Sequence, residues 1–419
     1  MTVHRPPPEQ AHLRIGFIPL LDSAVLIVAR ECGFAEREGL SLDLVREISW
    51  ANIRDRAIVG HLDAAHMLAG LPIASTLGIQ HLRVPMVAPM ALGIGGNAIT
   101  VSTPLYEAMA AAGLRAAGGP HASGAALARV VRQWAAAGRP PPILAMVYPV
   151  SSHNYELRYW LAASGVDPDR DVQLVVIPPP LMVDALETGR IDGFCVGEPW
   201  NSLAESAGAG HVVATKAELW PLSPDKVLGM RTDWAERNPN TVAALVRALY
   251  AAAGWADDPA NHEALAELLA RPEHVDAPAA CFRRALAGRF GTGPEGGTHT
   301  IADFIGFHRY AATFPWQCHA LWLYAQMVRW GQIAHSAAAA ALARATFRPD
   351  LYRAALAGGD AAIPLADSRI IGGTTEPMAV AATTGTLVLP PDRPFDGTVF
   401  DPDRLDAYLA ALDAGALPA

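Results

Sequence analysis

The sequence predicts an α/β protein of two similar lobes facing each other across a cleft, with a helical C-terminal extension packed on the first lobe. Three observations predict it. The stretch GHLDAAHM at 60–67 has a near-twin, GRIDGFCV, at 189–196; each reads Gly, any residue, an aliphatic, Asp, a small residue, then an apolar run. Each twin follows a strand pattern and then a helix pattern, so one local order occurs twice. From Pro239 onward the apolar spacing is mostly helical.

The elements follow in order. LRIGFI (13–18) alternates as a strand, Pro19 interrupts it, and Asp22 is positioned to cap the next helix. Gly33 ends that helix, and LSLDLVREI (40–48) is the second strand. A helix containing IRDRAIVGHL (53–62) runs into the first Asp turn, and AAHML (64–68) is the third strand. Helices are expected in 104–119 and 128–138, and ILAMVYPVSSHN (143–154) reads as a buried strand followed by a polar turn. The twin then repeats: helix RYWLAASG (158–165), strand VQLVVI before three prolines, helix LMVDALETG (181–189), strand RIDGFCVG (190–197). In both copies Gly suits the left-handed residue after a helix and Asp suits the tight turn. The later helices are 241–255, 262–270, 319–333 and 346–356, and 371–398 reads as loop. Asp401 as N-cap and Pro402 behind it open the last helix. The expected division is a mobile lead at 1–11, a first lobe of 12–100 with 221–419, and a second lobe of 101–220.

Composition excludes several classes. The chain has 419 residues, 51% of them hydrophobic, and a net charge of −9 with no basic run, so direct nucleic-acid binding is not expected. No window approaches the roughly 20 apolar residues of a spanning helix. MTVHRPPPEQAH lacks the apolar core of a secretory signal, and the four cysteines form no CxxC pair. Both point to the cytoplasm. No Walker loop, HExxH or Ser/His/Asp constellation appears, so no catalytic residue, cofactor or metal is assigned. Open α/β sheets bind ligands beyond the carboxyl ends of their strands, here His66–Leu68 in one lobe and Val196–Trp200 in the other.

The strings ISWANIRDR, GHLDAAHML, YPVSSHNYELRYWLAASGVDPDRDV, VVIPPPLMV, DGFCVGEPWN, SPDKVLGMRTDW, FPWQCHALWLYAQMVRWG and PFDGTVFDPDRLDAYL together resemble the nitrate- and bicarbonate-binding proteins of ABC transporters. The resemblance covers nearly the whole chain after residue 11 and implies a bilobal, type II periplasmic-binding-protein fold. Within that family the chain is similar to the cytoplasmic nitrate/nitrite sensor branch. That branch holds an ANTAR-domain RNA-binding antiterminator when ligand-free and releases it on binding the anion.

The resemblance also implies a ligand set. Lys226, in SPDK, supplies the compensating cation; the nitrate binders carry Lys here and the bicarbonate binders an acid. His153 donates from its ring, although the family's Gly-Gly-Thr-His run is here Val150, Ser151, Ser152 and His153. Asn97 stands where the family has Gln. Trp50 walls the pocket with its indole N–H as a donor, and Pro179 brings backbone to the cleft edge. Glu198 and Pro199 line the cleft without an acid–base role, and His66 faces it or is a core histidine. The aromatic group Trp316, Trp322 and Trp330 reads as C-terminal core. Three other functions compete: an anion carrier with no regulatory role, the substrate-binding component of a nitrate or bicarbonate ABC transporter, and an enzyme like the thiamin-pyrimidine synthases. The last needs a cysteine cluster, whereas FCVGE holds only Cys195.

Overall fold

The computed structural model describes residues 6–79, 82–115, 118–291 and 297–413. In chain order the strands that matter are β1 His12–Phe17, β2 Ser41–Arg46, β3 Ala64–Leu68, β4 Met86–Ala91, β5 Asn97–Ser102, β6 Ile143–Met146, β7 Gln173–Val176, β8 Gly193–Gly197, β9 Gly210–Thr215 and β10 Lys226–Arg231. They form two five-stranded sheets, ordered β2-β1-β3-β10-β4 and β7-β6-β8-β5-β9. In each sheet the first three strands are parallel, and the strand inserted next to them is antiparallel. Strands β3, β4, β5 and β8 are buried at every position, because helices or the other lobe cover both faces.

The twin turn has one physical job in both lobes. The Asp63 carboxylate accepts from the Arg14 amide at 2.8 Å, and the Asp63 amide donates to the Arg14 carbonyl at 2.9 Å. Asp192 makes the same pair with Ile143, at 2.8 and 2.7 Å. Each aspartate thereby clamps the third parallel strand onto the first, fixing its register: Ile15 opposite Ala64, Leu144 opposite Gly193. Gly60 and Gly189 precede these turns at φ +76° and +66°, a conformation side chains disfavour.

The chain leaves the first sheet after β4, builds the second, and returns at β10, so residues 92–96 and 216–225 cross between lobes. The boundary expected after residue 100 falls inside β5, which belongs to the second sheet from Asn97. The mobile lead expected at 1–11 lies partly outside the described residues. Within them, the Glu9 carboxylate accepts from the Asn240 and Thr241 amides at 3.0 and 2.8 Å, tying that end to helix Pro239–Asp257. That helix buries a stripe of Val242, Leu245, Val246, Leu249, Ala253 and Ala256, and it packs on Ala24–Glu31 of the first lobe. Helices Gln317–Arg329 and Ala337–Thr346 pack on Gly70–Leu77 of the same lobe.

Three local expectations change. Asp22 does not cap the helix after it; its carboxylate turns into the cleft. Helix Ser152–Ala163 starts six residues earlier than its sequence pattern, because Ser151 accepts from the Asn154 amide at 3.0 Å and caps it. The segment 371–398 is not all loop. Met378–Ala381 and Thr386–Leu389 pair as a hairpin whose turn ends at Gly385, φ +63°.

Candidate functional site

The two lobes meet around a buried set of charges. Lys226, the first residue of β10, is 1% exposed and directs Nζ to Asp22 Oδ2 at 2.8 Å and to the Asp225 carboxylate. Asp225 Oδ1 accepts from Ser152 Oγ at 2.6 Å and lies 3.5 Å from Lys216 Nζ. Lys216, at the end of β9, also reaches Glu156 Oε1 at 2.7 Å and the Pro224 carbonyl at 2.8 Å. Asp22 Oδ1 lies 2.8 Å from His66 Nε2. Asp225 therefore ties the first lobe to the helix and crossing segment of the second.

Burial and the neighbouring charges compete over the protonation states, with different winners at different groups. It pushes the Asp225 carboxyl up, but Lys216 and Lys226 overcome it and hold the group well below the usual carboxylate range. Burial works against the charge on Lys226, while Asp22 and Asp225 raise its pKa beyond the ordinary lysine value. For Glu156 burial wins over Lys216 and the pKa rises. His153 is pushed well below the usual histidine value, first by burial and then by Lys226.

Each residue singled out in the sequence has a definite place. His153 sits in the first turn of helix Ser152–Ala163, fully buried, and neither ring nitrogen has a partner among the described residues. Trp50 opens helix Trp50–Ile58; its indole N–H is buried without a partner, and Lys226 Nζ lies 5.5 Å from its ring centroid. The Trp50 and His66 rings are 5.3 Å apart. His66 lies mid-strand in β3 rather than at its end. Asn97 is fully buried; its Nδ2 donates to Glu156 Oε2 at 3.3 Å and its Oδ1 has no partner among the described residues. Pro179 is buried beyond the carboxyl end of β7 and, lacking an N–H, donates nothing. Glu198 and Pro199 stand at the carboxyl end of β8, where the Glu198 carbonyl accepts from the Leu21 amide of the other lobe at 2.7 Å. Trp316 and Trp322 are core, as expected.

The sequence reading missed Asp22 as a counterion, and it missed Glu156, Lys216, Asp225 and Ser152. The signal within reach was the acid beside Lys226 in SPDK. Glu156 shares a helix face with His153 three residues earlier, but SSHN had been read as a turn.

Close approach is required here. A Cβ on Gly70 would sit 2.1 Å from the Val150 carbonyl of the other lobe, and one on Gly197 would sit 3.3 Å from Asp22 Oδ2. The cavity touching Lys226, Asp22 and Asp225 is about 10 Å³, the room of one water. That cavity lies on the Gly93, Ile94 and Phe307 side of Lys226, and Trp50, His153 and Asn97 do not line it.

Glu198 makes a separate prediction. Its carboxyl is 1% exposed, with Oε2 accepting from the Ser202 amide at 3.1 Å, and burial pushes its pKa from 4.5 up to about 8. The folded chain keeps this proton while the unfolded chain loses it. Stability is therefore full below pH ~4.5 and declines by about 1.4 kcal/mol per unit up to pH ~8. Glu198→Gln, a near-isostere of the protonated acid, gains on the wild type across that window, by up to about 4 kcal/mol. Urea unfolding at pH 5, 6.5 and 8 measures it; a constant difference between the two proteins removes the assignment.

Among the described residues no group of three or more His, Cys, Asp or Glu is arranged for a metal, and no helix is long and apolar enough to cross a membrane. The profile of the NMT1-like family matches residues 6–270. A nitrate/nitrite binding protein of Synechococcus elongatus is 33% identical over 423 residues, covering 98% of this chain and 88% of its own length. A nitrate import ATP-binding protein of Synechocystis is 38% identical over 346 residues, covering 82% of this chain; the chain spans about half the length of this relative, 50%. Among solved structures, the periplasmic nitrate-binding protein of Synechocystis superposes with a TM-score of 0.85 at 28% identity, covering 97% of this chain and all of that one. The bilobal periplasmic-binding-protein fold is thereby established, and these relatives are binding and transport proteins rather than synthases.

Proposed function

The chain belongs to the NMT1-like family, and from that premise we propose that it binds a small monovalent oxyanion, nitrate or nitrite, in the cleft and acts as the substrate-binding component of an ABC import system. One observation carries the binding half. A buried ammonium, Lys226, stands beside the partnerless donors of Trp50 and His153 where the carboxyl ends of both sheets meet. An anion taken there lies against Lys226 beside its carboxylates and gains the partnerless donors of Trp50 and His153. The names of the relatives support the transport half. Magnitude agrees with a scavenging role: a four-atom ligand reaches about −6 kcal/mol, a Kd of tens of micromolar, improved by charge-assisted bonds in a dry cleft.

The second reading is the cytoplasmic sensor, ligand-free on an ANTAR-domain antiterminator. Its support is a net charge of −9 with no basic run, which disfavours touching RNA directly and suits acting through an RNA-binding partner. The comparisons favour the transport reading. Isothermal titration with nitrate, nitrite, bicarbonate and chloride tests the shared site; no heat with either nitrogen oxyanion ends both readings. Size-exclusion of the protein with an ANTAR-domain partner, with and without nitrate, then separates them. A complex that nitrate dissolves selects the sensor.

A further inference from the structure

The cleft has no surplus positive charge to offer an anion. Lys216 and Lys226 face Asp22, Asp225 and Glu156, two ammoniums against three carboxyls, all nine-tenths buried or more. With all three ionised the set already carries one negative charge in excess, and a monovalent anion makes it two, which is costly unless a proton arrives with it. Resting on the oxyanion-binding reading above, we propose that the anion is taken up together with one proton, and that His153 carries it.

Geometry selects His153. Asp22 has Lys226 on Oδ2, and its Oδ1 lies 2.8 Å from His66 Nε2 without a hydrogen bond between them. Asp225 has Ser152 and Lys216 on one oxygen and Lys226 on the other. Glu156 has Lys216 on one and Asn97 on the other. A proton on Asp225 or Glu156 breaks a bond already made, and Asp22 is held ionised against Lys226 at 2.8 Å. His66 accepts from the Ile18 amide through Nδ1 at 3.4 Å, which leaves it a single nitrogen, Nε2, 2.8 Å from Asp22 Oδ1.

His153 alone in the cluster has two nitrogens without partners. A neutral ring presents one N–H and one lone pair, and the lone pair repels an anion. The imidazolium presents two donors and loses nothing. The charges acting on it are Lys226, Asp225 and Lys216 from the crossing segment and β10, and His66 from β3, with Glu156 on its own helix. In the unliganded cleft, burial and the Lys226 ammonium keep the ring neutral. An anion against Lys226 offsets that field, so ligand and proton favour each other by the same factor.

The experiment is titration calorimetry of the full chain with sodium nitrate at pH 7.5, in two buffers of different ionisation enthalpy. Nitrate does not titrate in this range, so any proton counted is the protein's. The expected result is close to one proton taken up per nitrate, with Kd weakening about tenfold per pH unit between the unliganded and liganded pKa values. His153→Gln keeps a donor but cannot be protonated; it is expected to bind with no proton uptake and a flat pH profile. Glu156→Gln, which removes the rival acceptor, is expected to retain the uptake. Nitrate binding without proton uptake in the wild type overturns the coupling while leaving the oxyanion reading intact. Uptake that persists in His153→Gln, or vanishes in Glu156→Gln, moves the proton off His153 and overturns the assignment. Absence of nitrate binding from pH 5 to 9 overturns the oxyanion reading and this inference together.

Discussion

Lys226→Gln is expected to lose nitrate affinity by at least a hundredfold, about 2.7 kcal/mol. The side chain is 1% exposed and is the cation nearest the partnerless indole of Trp50. Glutamine keeps a polar tip but no charge, and a buried anion without a counter-charge is not held. The same change strands Asp22 and Asp225, and breaking a buried ion pair costs about 3–5 kcal/mol of fold stability. Binding loss and unfolding must therefore be separated. The double variant Asp22→Asn, Lys226→Gln removes one acid with the base and is expected to recover much of the stability without recovering binding. Circular dichroism melting and nitrate calorimetry on the three proteins give the answer. Wild-type affinity in the folded double variant would take Lys226 out of the site.

Asp225→Asn is expected to move stability and affinity in opposite directions. Asp225 bridges the lobes, accepting from Ser152 at 2.6 Å and facing both lysines. Without its charge Lys216 and Lys226 repel each other across a dry site, and the closed form loses about 3–5 kcal/mol. Yet Asp225 is also the anion's rival for Lys226. At an effective dielectric near 20, a carboxylate about 5 Å from the anion opposes it by roughly 3 kcal/mol, so its removal strengthens nitrate binding by tenfold or more. The expected signature is a low melting temperature that nitrate raises further than it raises the wild type's. A variant that is both less stable and weaker for nitrate would mean that Asp225 shapes the site rather than competing within it.

How much was legible in the sequence follows from how far apart the interacting residues lie. The paired Asp turns could be read because Gly, Asp and the apolar run sit within eight residues, and the local chemistry of a helix end and a strand start repeats in both lobes. The helix Pro239–Asp257 could be read because its buried stripe recurs at helical spacing. The hairpin within 371–398 was hidden, because Gly, Thr and Pro there mark turns without saying which flanking residues pair.

The sequence by itself determined the two α/β lobes, the paired Asp turns, the family resemblance and the basic residue at SPDK. These depend on periodicity, turn residues and short strings. Only the tertiary structure decided what surrounds that lysine. Asp22 is 204 residues from Lys226, Ser152 is 73 from Asp225, and Asn97 is 59 from Glu156. No local pattern encodes such meetings. Asp22 read as a cap because a carboxylate before a helix commonly is one, whereas a buried ammonium holds a carboxylate more strongly than exposed backbone amides do. Packing then set burial against the charges of the cluster and left both His153 nitrogens without a partner among the described residues, and burial is a property of the packed lobes.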